Sequence, residues 1–182
     1  MAFESLKQNL LADAQKIAAS RAEPQQLDSL VQLGETFYES FTAEDLKGRR
    51  AEDLFGCAYG LLYFLESWDG SAAKVRLLNP EMESHGWENH HTVVTVVCSN
   101  MPFLTASVRG ELNLRGIPVH VVNSCNLHLR RDERGQLVGL GPVQSESEQA
   151  SEASLIYFEI NRISDPAELA ELRQSIDEIV SQ

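Results

Sequence analysis

Cysteine is scarce in this sequence: there are three in 182 residues, Cys57, Cys98 and Cys125. The number is odd, none belongs to a CxxC pair, and each sits in an apolar or half-apolar run. Buried free thiols in a reducing compartment are expected, not a disulfide framework. A nucleophilic cysteine would need a neighbouring base, and the sequence supplies no signal for one. Long hydrophobic runs are also missing. No apolar stretch approaches the ~20 residues of a membrane span, and the start MAFESLKQNLL lacks the pattern of a signal peptide. Basic residues are few, with 15 Lys and Arg against 27 Asp and Glu, for a net charge of -12. That balance disfavours nucleic acid and anionic membranes, which need clustered cations. A soluble, cytoplasmic protein is expected.

Hydrophobic content of 43% and charged content of 23% are those of an ordinary globular protein. Residues 1–70 read as a helical segment. Phe3, Leu6, Leu10, Ala14 and Ile17 recur at helical spacing up to about Ser20. Pro24 suits the first turn of a second helix that carries Leu27, Leu30, Val31, Tyr38 and Phe41. Thr42-Ala-Glu-Asp45 resembles a capping box in which Asp replaces the usual Glu. From Ala51 to Trp68 a third helix is apolar nearly all round, so it is covered on most sides. Gly56 and Gly60 in that helix would let a neighbour approach closely.

Residues 71–182 read as an α+β domain. Lys74–Leu78 is a short strand candidate, and His91–Cys98 is β-branched on both faces, as a central strand is. Ile117–Arg130 alternates. Ile117, Val119, Val121, Cys125, Leu127 and Leu129 face one way, while His120, Ser124, Asn126, His128 and Arg130 form a polar, solvated face. Gln136–Leu140 returns as a hairpin partner, Gly141–Ser154 reads as a polar loop, and Leu155–Ile160 is the last strand. Ser164-Asp-Pro166 caps a final helix with the stripe Leu169, Leu172, Ile176, Ile179 and Val180. The order matches a ferredoxin-like βαββαβ unit, an antiparallel sheet with helices on one face, minus its closing strand. Either Lys74–Leu78 fills the vacant edge or the natural polypeptide continues; continuation is favoured.

The richest stretch runs from Asn100 to Gly116. Pro102 fits a first helical turn, and Met101, Leu104, Val108 and Leu112 make one stripe toward the sheet. Gly116 can take the left-handed cap conformation, while Gly110 in mid-helix costs ~1 kcal/mol against Ala and is expected to serve close packing. A strand that runs straight into a helix N-terminus points free N–H groups at whatever lies above it and favours a carboxylate. A capping side chain satisfying those groups is the plainer alternative.

Several spaced motifs carry a family resemblance: Asn79-Pro80, His85-Gly-Trp87, His91-Thr92, Met101-Pro-Phe-Leu104, Ser107-Val108 and Leu112-Asn-Leu-Arg-Gly116. Together they resemble the N-terminal ACT-like region of the large bacterial NAD-dependent glutamate dehydrogenases. The resemblance implies an ACT-like fold and a parent enzyme that oxidatively deaminates L-glutamate to 2-oxoglutarate with NAD. It implies that the catalytic lysine and cofactor site lie outside this chain, in which no G-x-G-x-x-G follows a strand. The implied effector loop, for an amino acid, is Asn100, Met101, Pro102, Phe103, Leu104 and Ser107. The family often has acids where this sequence has Asn100 and Ala106. His85, Trp87 and His91 fall in a family motif loop of unassigned role. Expected partners are the rest of the polypeptide, other subunits and an amino-acid effector. No cofactor, metal or catalytic residue is expected in the chain itself. The alternatives are a non-binding assembly module and a stand-alone ACT-like sensor.

The segment Glu81–His91 gathers His85, His90, His91, Glu83 and Glu88, but its spacing matches no zinc pattern. Trp87 packing against the sheet, with His91 capping or hydrogen-bonding, is the expected role. Arg49-Arg50 and Arg130-Arg131 read as solvated basic pairs.

Overall fold

The computed structural model describes residues 2–99, 101, 103–142 and 150–182. Four helices come first: α1 (Ala2–Arg21), α2 (Pro24–Tyr38), the short α3 (Ala43–Leu46) and α4 (Ala51–Ser67). Pro24 opens α2, as its fixed φ and missing N–H allow. The capping box forms in full at α3. Thr42 Oγ1 accepts from the Asp45 amide at 3.1 Å, and the shorter Asp45 carboxylate still reaches back to the Thr42 amide at 2.9 Å.

Five strands and three helices follow: β1 (Lys74–Leu78), α5 (Met82–His85), β2 (Thr92–Ser99), α6 (Leu104–Leu114), β3 (Val119–Arg131), β4 (Leu137–Pro142), β5 (Ala150–Ile160) and α7 (Pro166–Val180). The sheet order is β1-β2-β5-β3-β4 with every neighbouring pair antiparallel. From β2 onward this is the split βαβ arrangement. The edge beside β2 that a closing strand would take is held by β1, which precedes β2 in the chain. Ala150–Ser154, expected in a loop, lengthens β5 because these residues pair with Asn126–Arg130; residues 143–149 lie outside the described residues.

The helices of the βαββαβ unit lie on one face of the sheet, as expected, and the N-terminal helical segment covers the other. On one face α6 and α7 bury Leu104, Val108, Leu112, Leu172, Ile176 and Val180 against Val94, Val96, Ile156 and Phe158. On the other, α2 and α4 pack Leu33, Phe37, Leu61 and Leu65 against Val93, Val97, Leu127, Leu129, Leu155 and Tyr157. The apolar stripe of β3 is what demands the second layer. The register shifts between Val119 and Val121, so one extra residue switches the side to which the chain points. Val119 therefore packs on the α6–α7 side while Val121 and Leu127 pack under the helical layer. The same bulge takes His120 out of line with Ser124, Asn126, His128 and Arg130. The last three polar positions of simple outward exposure are Ser124, Asn126 and Arg130.

Candidate functional site

Helix α6 starts later than the helical stripe predicts. Asn100 and Pro102 lie outside the described residues. Met101 precedes α6 and is exposed, so it is no part of the buried stripe. The helix begins at Leu104, and the capping residue Phe103 has φ 69°, the only positive φ of a non-glycine among the described residues. Its ring is 83% exposed, and among the described residues no side chain caps the first turn. Ser107, carried into the candidate effector loop by resemblance, donates instead to the Phe103 carbonyl at 3.1 Å. Leu104 is buried in the core beneath α6. Gly116 takes the left-handed conformation expected of a helix end, with φ 69°.

What surrounds this helix start follows from register. Cys98 pairs with Ser154, which pairs with Asn126. The end of β2, from which the chain turns into α6, is therefore level with Asn126 on the exposed strip of β3. Ser154 Oγ donates to Asn126 Oδ1 at 2.9 Å. Glycines face the same way on β4: Gly139 opposite Arg130 and Gly141 opposite His128. A Cβ at Gly139 would meet the Arg130 guanidinium. The arrangement is a polar strip of β3–β5 level with the end of β2, and a helix N-terminus whose capping residue Phe103 offers no side-chain acceptor is chemically suited to a carboxylate.

The motif loop assembles at the opposite end of the sheet. His85 Nδ1 accepts from the Glu81 amide at 3.0 Å, which closes the turn of α5. Trp87 is buried against α4, where a Cβ at Gly56 would collide with its side chain. The close approach expected at Gly56 is thus that of an indole. His91 Nδ1 lies 3.2 Å from Glu159 Oε1. Glu159 is fully buried, and Arg49 grips it with two bonds of 2.7 and 2.6 Å; Tyr157 donates a further bond at 2.8 Å. Burial by itself would raise this carboxyl, but the hydrogen bonds and charge of Arg49, with help from Tyr157 and His91, hold it below the ordinary 4.5. Arg49 is correspondingly raised: burial opposes its charge and Glu159 outweighs burial.

His120 stacks on His91 with ring centroids 4.2 Å apart. These groups wall a cleft of about 760 Å³ between the α3–α4 loop and the β1–β2 connection, with Arg49, Trp87, His90, His91, His120 and Arg162 among its lining. Among the described residues no three His, Cys, Asp or Glu side chains converge as metal ligands. Nor does either of the two cysteines on the helical-layer side of the sheet offer a ready thiolate. Burial, with the charge of Glu159, pushes Cys57 up to about 11, and burial pushes Cys125 up to about 12, so both are thiols at neutral pH.

Sequence reading missed Arg49 and Glu159, since a basic pair beside a helix is usually solvated. One signal was available: Glu159 is the only charge in the run Leu155–Ile160, and a charge inside a buried strand requires a partner. No helix among the described residues is long and apolar enough to cross a membrane.

No solved structure gives a significant match to this chain. Two curated relatives do match. The NAD-specific glutamate dehydrogenase of Halomonas elongata is 36% identical over 183 aligned residues, which cover all of this chain and 11% of the relative. That of Pseudomonas aeruginosa is 36% identical over 156 residues, covering 86% of this chain and 10% of the relative. The chain thus spans about a ninth of the length of these relatives. The family described as "Glutamate dehydrogenase, ACT1 domain" matches residues 33–176, from α2 to α7. On a family match that spans residues 33–176 and both helical layers, this chain belongs to the glutamate dehydrogenase ACT1-domain family.

Proposed function

We propose that this chain is the N-terminal regulatory and assembly domain of an NAD-dependent glutamate dehydrogenase in the cytoplasm. The parent enzyme would oxidatively deaminate L-glutamate to 2-oxoglutarate, with its catalytic lysine and NAD site in other domains. The domain senses an amino acid at the start of α6, and one observation carries this reading. Among the described residues no side chain caps the first turn of α6, and the end of β2 that leads to it is level with the polar floor around Asn126. An effector's α-carboxylate would supply the acceptor that Phe103 does not. Its side chain would meet Met101, Phe103 and the floor residues.

Calorimetry across the proteinogenic amino acids tests this reading, on this chain and on the longer enzyme. Saturable binding of at least one is expected, with weakening when Asn126 is changed to Leu. No saturable binding to either protein would overturn sensing. A second reading, assembly without a ligand, draws on the exposed Phe103 and the 86% exposed Leu114, apolar side chains at opposite ends of α6.

A further inference from the structure

At the β1 edge the charge balance of the molecule inverts. β1 pairs with β2 alone, so alternate residues of Lys74–Leu78 turn their backbone N–H and C=O groups outward. On the α4 side of this strand stand Lys74 and Arg76. Both ride on Phe64, with Lys74 Nζ 5.4 Å and Arg76 Cζ 5.0 Å from the ring centroid. Lys74 donates to Ser67 Oγ at 2.5 Å, and Arg76 Nη1 donates to the Gly60 carbonyl at 3.2 Å. Arg76 Nε is buried with no acceptor. Among the described residues neither cation has a carboxylate in ion-pair range; other cations of the chain share that lack, but these are the two that stack together on one aromatic ring. In a chain with 27 acids and 15 Lys and Arg, two adjacent cations without an acid are a charge looking for its complement.

The surface beside them is apolar. Tyr63 of α4 is 69% exposed, and Tyr59 one turn back is exposed too. Tyr63 neighbours Gly60 and Ser67 on the helix surface, the residues that touch Arg76 and Lys74. We propose that the β1 edge docks an acidic, extended segment of a partner protein. That segment adds a sixth strand through backbone hydrogen bonds, sets its carboxylates on Lys74 and Arg76, and lies along Tyr63. A second copy of this chain is the wrong occupant, because two-fold pairing of β1 with itself would oppose cation to cation. The cations that guard the edge against self-pairing are therefore also its specificity. This inference stands apart from the effector reading, which concerns the start of α6 on the other face of the sheet.

The test uses the full chain and a short blocked peptide that alternates valine with glutamate, read by hydrogen exchange. Saturable protection of the Lys74–Leu78 amides is expected. A peptide with lysine in place of glutamate should bind about tenfold more weakly. Lys74→Ala and Tyr63→Ala, both changes at the surface, should weaken protection several-fold while melting normally. Arg76→Gln should do the same if it folds. The proposal is overturned by absent protection at β1 or by equal protection from the lysine peptide. Protection that rises with chain concentration without any peptide would also overturn it, because a second copy would then be the occupant.

Discussion

Glu159 places a full charge at the inner surface of a β-sheet, where desolvation costs several kcal/mol unless the charge is matched. Arg49 supplies the match from the loop before α4, in the bidentate geometry that suits a carboxylate. His91 and Tyr157 fill the remaining acceptor positions. The cluster ties the helical layer to the end of the sheet. Glu159→Gln leaves the Arg49 guanidinium facing a neutral amide, and we expect a loss of about 3 kcal/mol in urea unfolding at neutral pH. The pH dependence has a definite sign. The folded carboxyl lies below the ordinary 4.5, so its stabilisation is complete above that value and vanishes as pH falls through the lower folded one. Acid unfolding should therefore steepen below about pH 4.5 in the wild type and lose that component in Glu159→Gln. A variant with unchanged neutral stability and an unchanged acid limb would refute the role assigned to the pair. Single residues were the least legible scale in the sequence. Trp87 and His91 stood out through resemblance, but a partner for Glu159 lies 110 positions away, and no local pattern records it.

Elements were far more legible, because their signals are local. The capping box at Thr42, Pro24 at a helix start, Asp165 accepting from the Ala167 amide at 3.0 Å, and Gly116 at a helix end all act within one turn. Elements failed where a residue's position depended on something beyond its own turn. The stripe through Met101 broke because α6 begins only at Leu104. The alternation of β3 is interrupted by its bulge, which adds one residue and leaves no compositional mark. Gly110 offers the sharpest test at this scale. Close packing was the expected reason for a mid-helix glycine, yet a Cβ there would meet nothing within 4 Å. Gly110→Ala should therefore stabilise the chain by about 1 kcal/mol through backbone entropy alone, seen as a raised denaturation midpoint with the same slope. Destabilisation would mean that the bare backbone at 110 packs against something outside this chain.

At the scale of the whole molecule, the strand and helix order of a split βαβ unit was readable, and the sheet follows it. The second layer was not readable as a layer. Residues 1–70 looked like a helical segment beside an α+β domain, whereas Leu33, Phe37, Leu61 and Leu65 share one core with Val97, Leu127, Leu155 and Tyr157. Periodicity shows that a helix has an apolar face, and it does not say which surface that face meets. The family match begins at residue 33, inside α2, which agrees with α2–α4 belonging to the same folding unit as the sheet. Residues 71–182 expressed alone would uncover an apolar sheet face and strand Glu159 without Arg49. Both losses act on the same face and should compound rather than add. We expect that fragment to bind a hydrophobic dye and to unfold without a cooperative transition, while the full chain melts in one step. A sharp, dye-free melt of residues 71–182 near that of the full chain would show that the sheet and its α6–α7 layer suffice, and that the helical layer is an accessory.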